Sequence, residues 1–356
     1  MDIIKSQKYK NSLGGINLTE LRQLENKTIL VTGATGMIGS CIIDTLSKLN
    51  EKGFNLKIIA TSRTLEKLNQ RFSPLCHDDR FIPIIFDASD NKQSLNLDMN
   101  IDYIIHAASY ADPVNYAQYP IETMLSNIIG TKNLLEYGAE HGVKRFLFIS
   151  SGEFYGQPDD KLSDFIESYN GPVDYSSARA CYPSGKRAAE ALCQSYISQK
   201  NMDCVIARPC HIFGPTMLEH DSRAISQFLQ KSIRKEDILL KSAGNIERSH
   251  CYVVDCVNAI LTVLVKGRCG EAYNISDKKY QMTIREFAEK ICQLTKVDLV
   301  FQNASDLETR GYSTISRAVL DNTKLINLGW RPLENDGVKD TIDILVEQKL
   351  NHFSRR

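Results

Sequence analysis

The sequence predicts an α/β fold, a doubly wound parallel sheet with a smaller C-terminal lobe. Three features carry this expectation. Short β-branched apolar runs alternate with helical segments. The first of these runs ends in a glycine-rich turn that opens a helix. Beyond Cys204-Val-Ile-Ala-Arg-Pro209 the alternation becomes irregular, as expected where a chain leaves its sheet to build a second lobe. A chain of 356 residues, 42% of them hydrophobic, is long enough to bury one large core and a lobe.

Residues 1–26 read as an N-terminal extension. Lys5, Lys8 and Lys10 interrupt it, and no apolar stretch there is long enough for a signal peptide. Asn17-Leu-Thr-Glu-Leu-Arg-Gln-Leu24 has helical spacing and is expected to pack beside the first strand. That strand is Lys27-Thr-Ile-Leu-Val-Thr-Gly33, followed at once by Gly33-Ala-Thr35-Gly36-Met37-Ile38-Gly39 and a helix with Ile38, Ile42, Ile43 and Leu46 on its inner side. Glycines there let the backbone turn sharply and approach a pyrophosphate, which the helix N-terminus attracts through its unpaired N–H groups. Strand, turn and helix in this order, at the start of a repeating pattern, point to dinucleotide binding.

The second strand, Leu56-Lys-Ile-Ile-Ala-Thr61, ends in Ser62-Arg63, where an acid would normally hold the ribose hydroxyls of NAD. A guanidinium instead suits a 2′-phosphate, so the expected cofactor is NADP(H) rather than NAD. Asp87 and Ala88 follow the strand Phe81-Ile-Pro-Ile-Ile-Phe86, and Asp87 is placed either to meet the adenine edge or to cap a helix. Further strands are expected at Asp102–Ala107 and Arg145–Ser150, with a helix from about Pro120 to His141 between them. Ligands of such sheets sit outside the carboxyl ends of the strands, where Ala107, Ala108, Ser109, Ser151 and Glu153 fall. The main domain is expected over 27–208 with a return at about 250–266, and the lobe over 209–249 and 267–356, where Thr283 opens a helix.

Tyr182 precedes Lys186 by four residues in Arg179-Ala-Cys-Tyr-Pro-Ser-Gly-Lys-Arg187, which puts a phenol and an ammonium on one helix face. A nearby positive charge favours the ionised phenol and would let it exchange a proton with a substrate hydroxyl or carbonyl near neutral pH. Ser151 is placed to hydrogen-bond the same reacting oxygen.

Together these residues resemble the extended short-chain dehydrogenase/reductase family, over nearly the whole chain from Lys27 to Trp330. The resemblance implies a Rossmann domain for the nicotinamide cofactor and a lobe closing over a nucleotide-linked sugar, with a pyrimidine base. Ser151, Tyr182 and Lys186 match the family's catalytic trio, Asn127 its helix asparagine, and Pro209 belongs to the cofactor-binding set. Within the family the chain is similar to UDP-glucuronate decarboxylases, through Pro113-Val-Asn-Tyr116-Ala-Gln-Tyr-Pro-Ile-Glu-Thr123, Arg179-Ala-Cys-Tyr-x-x-Gly-Lys-Arg187 and Phe213-Gly-Pro-Thr-Met217 with Asp221-Ser-Arg223. That likeness implies that Arg223, Arg248 and Tyr252 line a diphosphate pocket, with Tyr116, His211 and Arg317 as further substrate contacts, and that Glu153 either binds a sugar hydroxyl or serves as a second catalytic acid–base group. It also implies a homodimer through the helices near Pro120 and Ser177. Two departures stand out: Gly152 where decarboxylases have serine and 4,6-dehydratases aspartate, and His211 in place of a substrate-contacting asparagine.

Ser62-Arg63 is the third departure. Sugar decarboxylases and epimerases return the hydride that they take, whereas an NADP-selective pocket suits net reduction. The function expected from sequence is therefore an NADPH-dependent reductase acting on the carbonyl of a nucleotide-activated sugar for surface polysaccharide precursor synthesis. A redox-neutral decarboxylase or epimerase is the alternative, and a catalytically silent dinucleotide sensor a third reading. With 43 basic and 43 acidic residues there is no general attraction to nucleic acid or membranes. Ten cysteines without a C-x-x-C pair suggest thiols in a reducing cytoplasm, and seven scattered histidines suggest no metal site.

Overall fold

The computed structural model describes residues 3–90, 95, 97, 99–159, 163–305, 309 and 315–353. Its centre is a seven-stranded sheet in which every pair is parallel. In chain order its first five strands are β1 (Thr28–Thr32), β2 (Lys57–Ser62), β3 (Phe81–Ile85), β4 (Tyr103–His106) and β5 (Arg145–Ile149). The sheet is completed by β6 (Cys204–Pro209) and by Ala272–Ile275, which lies at the edge beside β6. The order runs β3, β2, β1, β4, β5, β6 and then Ala272–Ile275, so the direction of winding reverses at β1, where β2 lies on one side and β4 on the other. Helices cover both faces of the sheet, which is why β1 and β6 are buried at every residue and why their central residues, Ile29-Leu-Val31 and Val205-Ile-Ala207, are apolar.

Helix α1 spans Gln7–Gly14, α2 Met37–Glu51, α3 Leu65–Phe72, α4 Pro113–Gln118, α5 Pro120–Glu140 and α6 Cys181–Lys200. The α5 and α6 helices pack closely because Gly185 sits against Asn127 and Met124; a methyl there would stand 3.3 Å from the Asn127 Cβ. The smaller lobe contains a three-stranded sheet of β7 (His211–Phe213), β8 (Glu247–Tyr252) and Asp277–Thr283, with helices Ala224–Ile233, Ile284–Thr295 and the C-terminal Gly337–Phe353. Thr283 opens its helix through a full capping box with Glu286, as its sequence position suggested.

Two expectations on domain organisation are corrected. The 250–266 return is made by the helix Val253–Lys266, which packs on α2 and β6, whereas the strand before it pairs within the lobe sheet. The chain rejoins the main sheet only at Ala272–Ile275, inside the stretch assigned to the lobe. Polar Asn274 disguises that strand: it accepts from the Tyr155 hydroxyl at 2.5 Å and donates to the carbonyls of Phe165 and Asp321.

The N-terminal extension is bound on both sides. Tyr9 donates to Asp44 of α2 at 2.9 Å, and Asp44 also pairs with Arg71 of α3. On the other side Ser6 donates to Glu347 at 2.6 Å and Lys8 pairs with Asp340 at 3.3 Å, both on the C-terminal helix. Leu18–Leu24 forms a 3-10 helix against Val253–Lys266, with Glu20 2.8 Å from Lys266, so its main partner is that helix rather than the first strand. Among the described residues no helix is long and apolar enough to cross a membrane.

Candidate active site

The glycine-rich turn is shaped by lack of space. Gly33 adopts φ +64°, and a Cβ there would lie 2.8 Å from the backbone of Ala107 and Ala108, at the end of β4. A Cβ on Gly39 would lie 2.2 Å from the Gly33 carbonyl oxygen, so α2 can start where it does only with glycine. Gly36 is the N-cap and offers no side-chain cap to the first N–H groups of α2. Thr35 and Ile38 are half-buried beside them, and Met37 is buried. An uncapped helix N-terminus reached through a glycine turn fits a dinucleotide pyrophosphate.

Around this turn Thr32 hydrogen-bonds His106 at 2.7 Å and accepts from the Ala108 amide at 3.3 Å, which joins the ends of β1 and β4. Ser109 donates to buried Asn127 of α5 at 3.0 Å. Asp87 closes an Asx turn, accepting from the amide and hydroxyl of Ser89, and buried Ala88 packs beside Gly130. At the end of β2, Arg63 is exposed; its guanidinium lies over the Tyr110 ring at 5.2 Å and donates to the Tyr110 hydroxyl at 2.5 Å.

The candidate reacting groups stand at the end of β5 and in the first turns of α6. Ser151 caps the 3-10 turn Gly152–Tyr155, accepting from the Glu153 amide, and its hydroxyl is one of the groups that pull the Tyr182 phenol down. Ser150 donates to Glu190 of α6 at 2.5 Å, and Glu190 pairs with Arg208 of β6 at 2.7 Å, so the strand ends and the helix carrying Tyr182 are tied together. Pro209 ends β6, and its carbonyl lies 3.6 Å from where a Gly152 Cβ would be.

The electrostatics of the tyrosine and lysine differ from the sequence expectation. Burial pushes the Tyr182 phenol up to about 12, against the Ser151 and Tyr116 hydroxyls, which pull it down. Burial also draws Lys186 down to about 7, opposed by the Glu190 charge. The Lys186 ammonium donates to the Ile149 carbonyl at 2.8 Å and stands 5.7 Å from the centre of the Tyr182 ring. Lysine does not acidify the phenol here, because desolvation weighs against its own charge.

Glu153 is held by Arg179 through hydrogen bonds of 2.7 and 2.6 Å. Arg179 also lies over the Tyr116 ring at 4.5 Å, and Tyr116 stacks on Tyr182 at 4.6 Å. Arg223 pairs with Asp221 and reaches the sulfur of Met37 at 3.7 Å, which brings a lobe cation to the start of α2. Buried Arg248 has no carboxylate partner at ion-pair distance among the described residues, and its guanidinium meets His211 Nε2 at 3.4 Å. His211 is held well below its usual range by burial and by Arg248, and is therefore neutral.

One expected contact lies elsewhere, and another is already paired. Tyr252 is fully buried, its ring against Phe213 and Gly337 and its hydroxyl near Ser12, so it belongs to the core joining lobe and N-terminal helix. The apolar run Tyr252-Val-Val is the signal for that placement. Arg317 is engaged by Asp164 at 2.9 Å and Glu247 at 2.8 Å. Three residues were missed as site members: Arg179, Tyr110 and Leu320. Leu320 explains Gly152, since a Cβ there would meet both Leu320 methyls at 3.2 Å.

A model of the NAD dependent epimerase/dehydratase family matches residues 29–276, which span the glycine turn, the serine, tyrosine and lysine, and Arg248. The chain belongs to that family. It is 30% identical over 328 residues to UDP-glucuronic acid decarboxylase 1 of Xenopus tropicalis, covering 90% of this chain and 73% of the relative. It is 32% identical over 310 residues to UDP-glucuronic acid decarboxylase 6 of Arabidopsis thaliana, covering 86% and 84%. Among solved structures, epimerase Mth375 of Methanothermobacter thermautotrophicus shares the fold with a TM-score of 0.78 at 22% identity, covering 94% of this chain and 97% of the other. The dTDP-glucose 4,6-dehydratase DesIV of Streptomyces venezuelae, solved with NAD, gives a TM-score of 0.76 at 23% identity, covering 90% and 98%.

Proposed function

We propose that the protein acts on a nucleoside diphosphate-linked uronic acid without net redox change, oxidising a sugar hydroxyl, releasing CO2 and reducing the resulting ketone. This replaces the net reduction expected from Ser62-Arg63. The observation that carries it is the Glu153–Arg179 ion pair beside Ser151 and Tyr182, with glycine at 152. A dehydratase needs an acid at that place to expel a hydroxyl, and Leu320 already crowds it. The decarboxylase relatives support the same choice.

The turn of Gly33, Gly36 and Gly39 would hold the dinucleotide, whose nicotinamide supplies reversible hydride acceptance when bound. The chain's own residues handle protons and charge. Tyr182 takes the proton of the sugar hydroxyl as its carbon is oxidised, and Ser151 hydrogen-bonds that oxygen. The ketone formed is β to the carboxylate, so the carbon–carbon bond breaks with its electron pair moving toward the ketone oxygen, and CO2 leaves. The enolate then takes a proton at carbon, and Tyr182 returns its proton to oxygen as the ketone is reduced. Arg248, buried without a carboxylate, would offset the diphosphate charge.

The reading is tested by incubating purified protein with UDP-glucuronate and catalytic dinucleotide. Formation of UDP-pentose and CO2 in equal amounts, with no net change in nicotinamide absorbance, is the expected result. Stoichiometric consumption of reduced dinucleotide without CO2 would restore the reductase. The cofactor's phosphate is a separate matter. Arg63, exposed and braced by Tyr110, favours the phosphorylated dinucleotide, so Arg63→Ala is expected to weaken NADP binding by roughly tenfold or more while leaving NAD binding nearly unchanged. Equal effects on both, measured by titration, would remove that selectivity.

A further inference from the structure

Tyr116 was expected only as a substrate contact, yet its surroundings point inward. It lies on α4 and is almost fully buried with Tyr182 and Cys181 in a small cluster of its own. Its ring centre is 4.6 Å from that of Tyr182, with the planes 25° apart. The Tyr116 hydroxyl is one of the groups that pull the Tyr182 phenol down. Across the Tyr116 ring stands Arg179, itself fixed by two hydrogen bonds to Glu153. A stacked ring and a fixed cation constrain the Tyr182 phenol more closely than a loose substrate pocket requires.

We infer that Tyr116 is a positioning residue for Tyr182, holding the phenol by stacking and donating a hydrogen bond to its oxygen whenever Tyr182 has given up its proton. The inference rests on the reading of Tyr182 as the acid–base group, but not on the identity of the sugar. The direction of donation follows from charge, because a phenolate has no proton to give and can only accept. Burial, then the Tyr182 and Glu153 charges, push the Tyr116 phenol well above its usual range, so at neutral pH it carries the proton to donate. A neutral donor stabilises a phenolate more than a neutral phenol and so favours ionisation. The remaining charges around Tyr182 come from every neighbouring element: Glu153 from the turn after β5, Arg179 and Lys186 from α6 and its approach, and Arg223 from the lobe. Glu153 opposes ionisation and Arg179 favours it. Their mutual pairing offsets the two, which leaves the hydroxyl contacts from Ser151 and Tyr116 to tune the phenol.

Tyr116→Phe keeps the ring and deletes only the hydroxyl. In enzyme loaded with oxidised dinucleotide, the ionisation of Tyr182 is read as the tyrosinate absorbance difference between each protein and its Tyr182→Phe counterpart. The expected result is an upward shift of about one pH unit in Tyr116→Phe. Turnover should fall roughly tenfold at neutral pH and recover as pH is raised, because more of the base form is then present. Tyr116→Leu, which also removes the stack, should lose turnover without recovery at high pH. Circular dichroism melts establish that both variants are folded. An unshifted titration, whether or not affinity for the nucleotide sugar falls, would overturn the inference and leave Tyr116 a binding residue. A shifted titration in a protein that releases no CO2 would instead refute the decarboxylase reading and keep this one.

Discussion

Tyr182→Phe is expected to lower turnover by about two to four orders of magnitude while leaving dinucleotide affinity within a factor of about two. The loss is confined to chemistry because the phenylalanine ring can keep the 4.6 Å stack on Tyr116. Only the hydroxyl disappears, and with it the proton acceptor for the sugar alcohol. Burial holds the native phenol up near 12, so at neutral pH in the unloaded protein it is protonated. Activity in the oxidising direction should therefore rise with pH, and the variant should lack that rise. Stopped-flow measurement of hydride transfer, beside equilibrium titration of the dinucleotide, separates the two quantities. A variant with native transfer rates would show that another group moves the proton.

The second large effect is structural. Gly39→Ala places a methyl 2.2 Å from the Gly33 carbonyl oxygen and 2.9 Å from its carbon, both backbone atoms that cannot rotate aside. Either α2 moves away from the turn or the turn opens, and each change spoils the pyrophosphate cradle. A destabilisation of roughly 1–3 kcal/mol is expected from overpacking. Added dinucleotide should then no longer raise the melting temperature, since ligand stabilisation requires binding to the native state. Gly14→Ala is the control, because nothing lies within 4 Å of its added methyl. Normal dinucleotide stabilisation in Gly39→Ala would mean that the turn does not hold the pyrophosphate.

The main sheet was legible because strands covered on both faces are continuous apolar runs, as at Ile29, Leu30 and Val31. Ala272–Ile275 escaped because its central Asn274 is buried as a connector between loops, a role that only tertiary contacts assign. The placement of Ser151, Tyr182 and Lys186 was readable from spacing and order along the chain, since a helix fixes the last two on one face and a strand end fixes the first.

Their charge states were not readable. Proximity of lysine to tyrosine suggested a phenol made acidic, whereas the depth of both groups makes desolvation the larger influence on each. Pairing was equally hidden. Arg179 and Glu153 are 26 residues apart and meet only because the turn after β5 faces the approach to α6. Arg248 and Arg317 look alike as loop arginines, and burial with no carboxylate at ion-pair distance among the described residues separates the first from the second, which two carboxylates hold.

The central claim is that one hydride leaves a sugar carbon and returns to it. Nucleotide-linked glucuronate carrying deuterium at the carbon to be oxidised tests this most directly, with product analysed by mass spectrometry and NMR in the presence of unlabelled reduced dinucleotide. Retention of the deuterium at that carbon of the pentose is the result predicted. Its replacement by hydrogen from the added dinucleotide, or a product that keeps its carboxylate, would contradict the account.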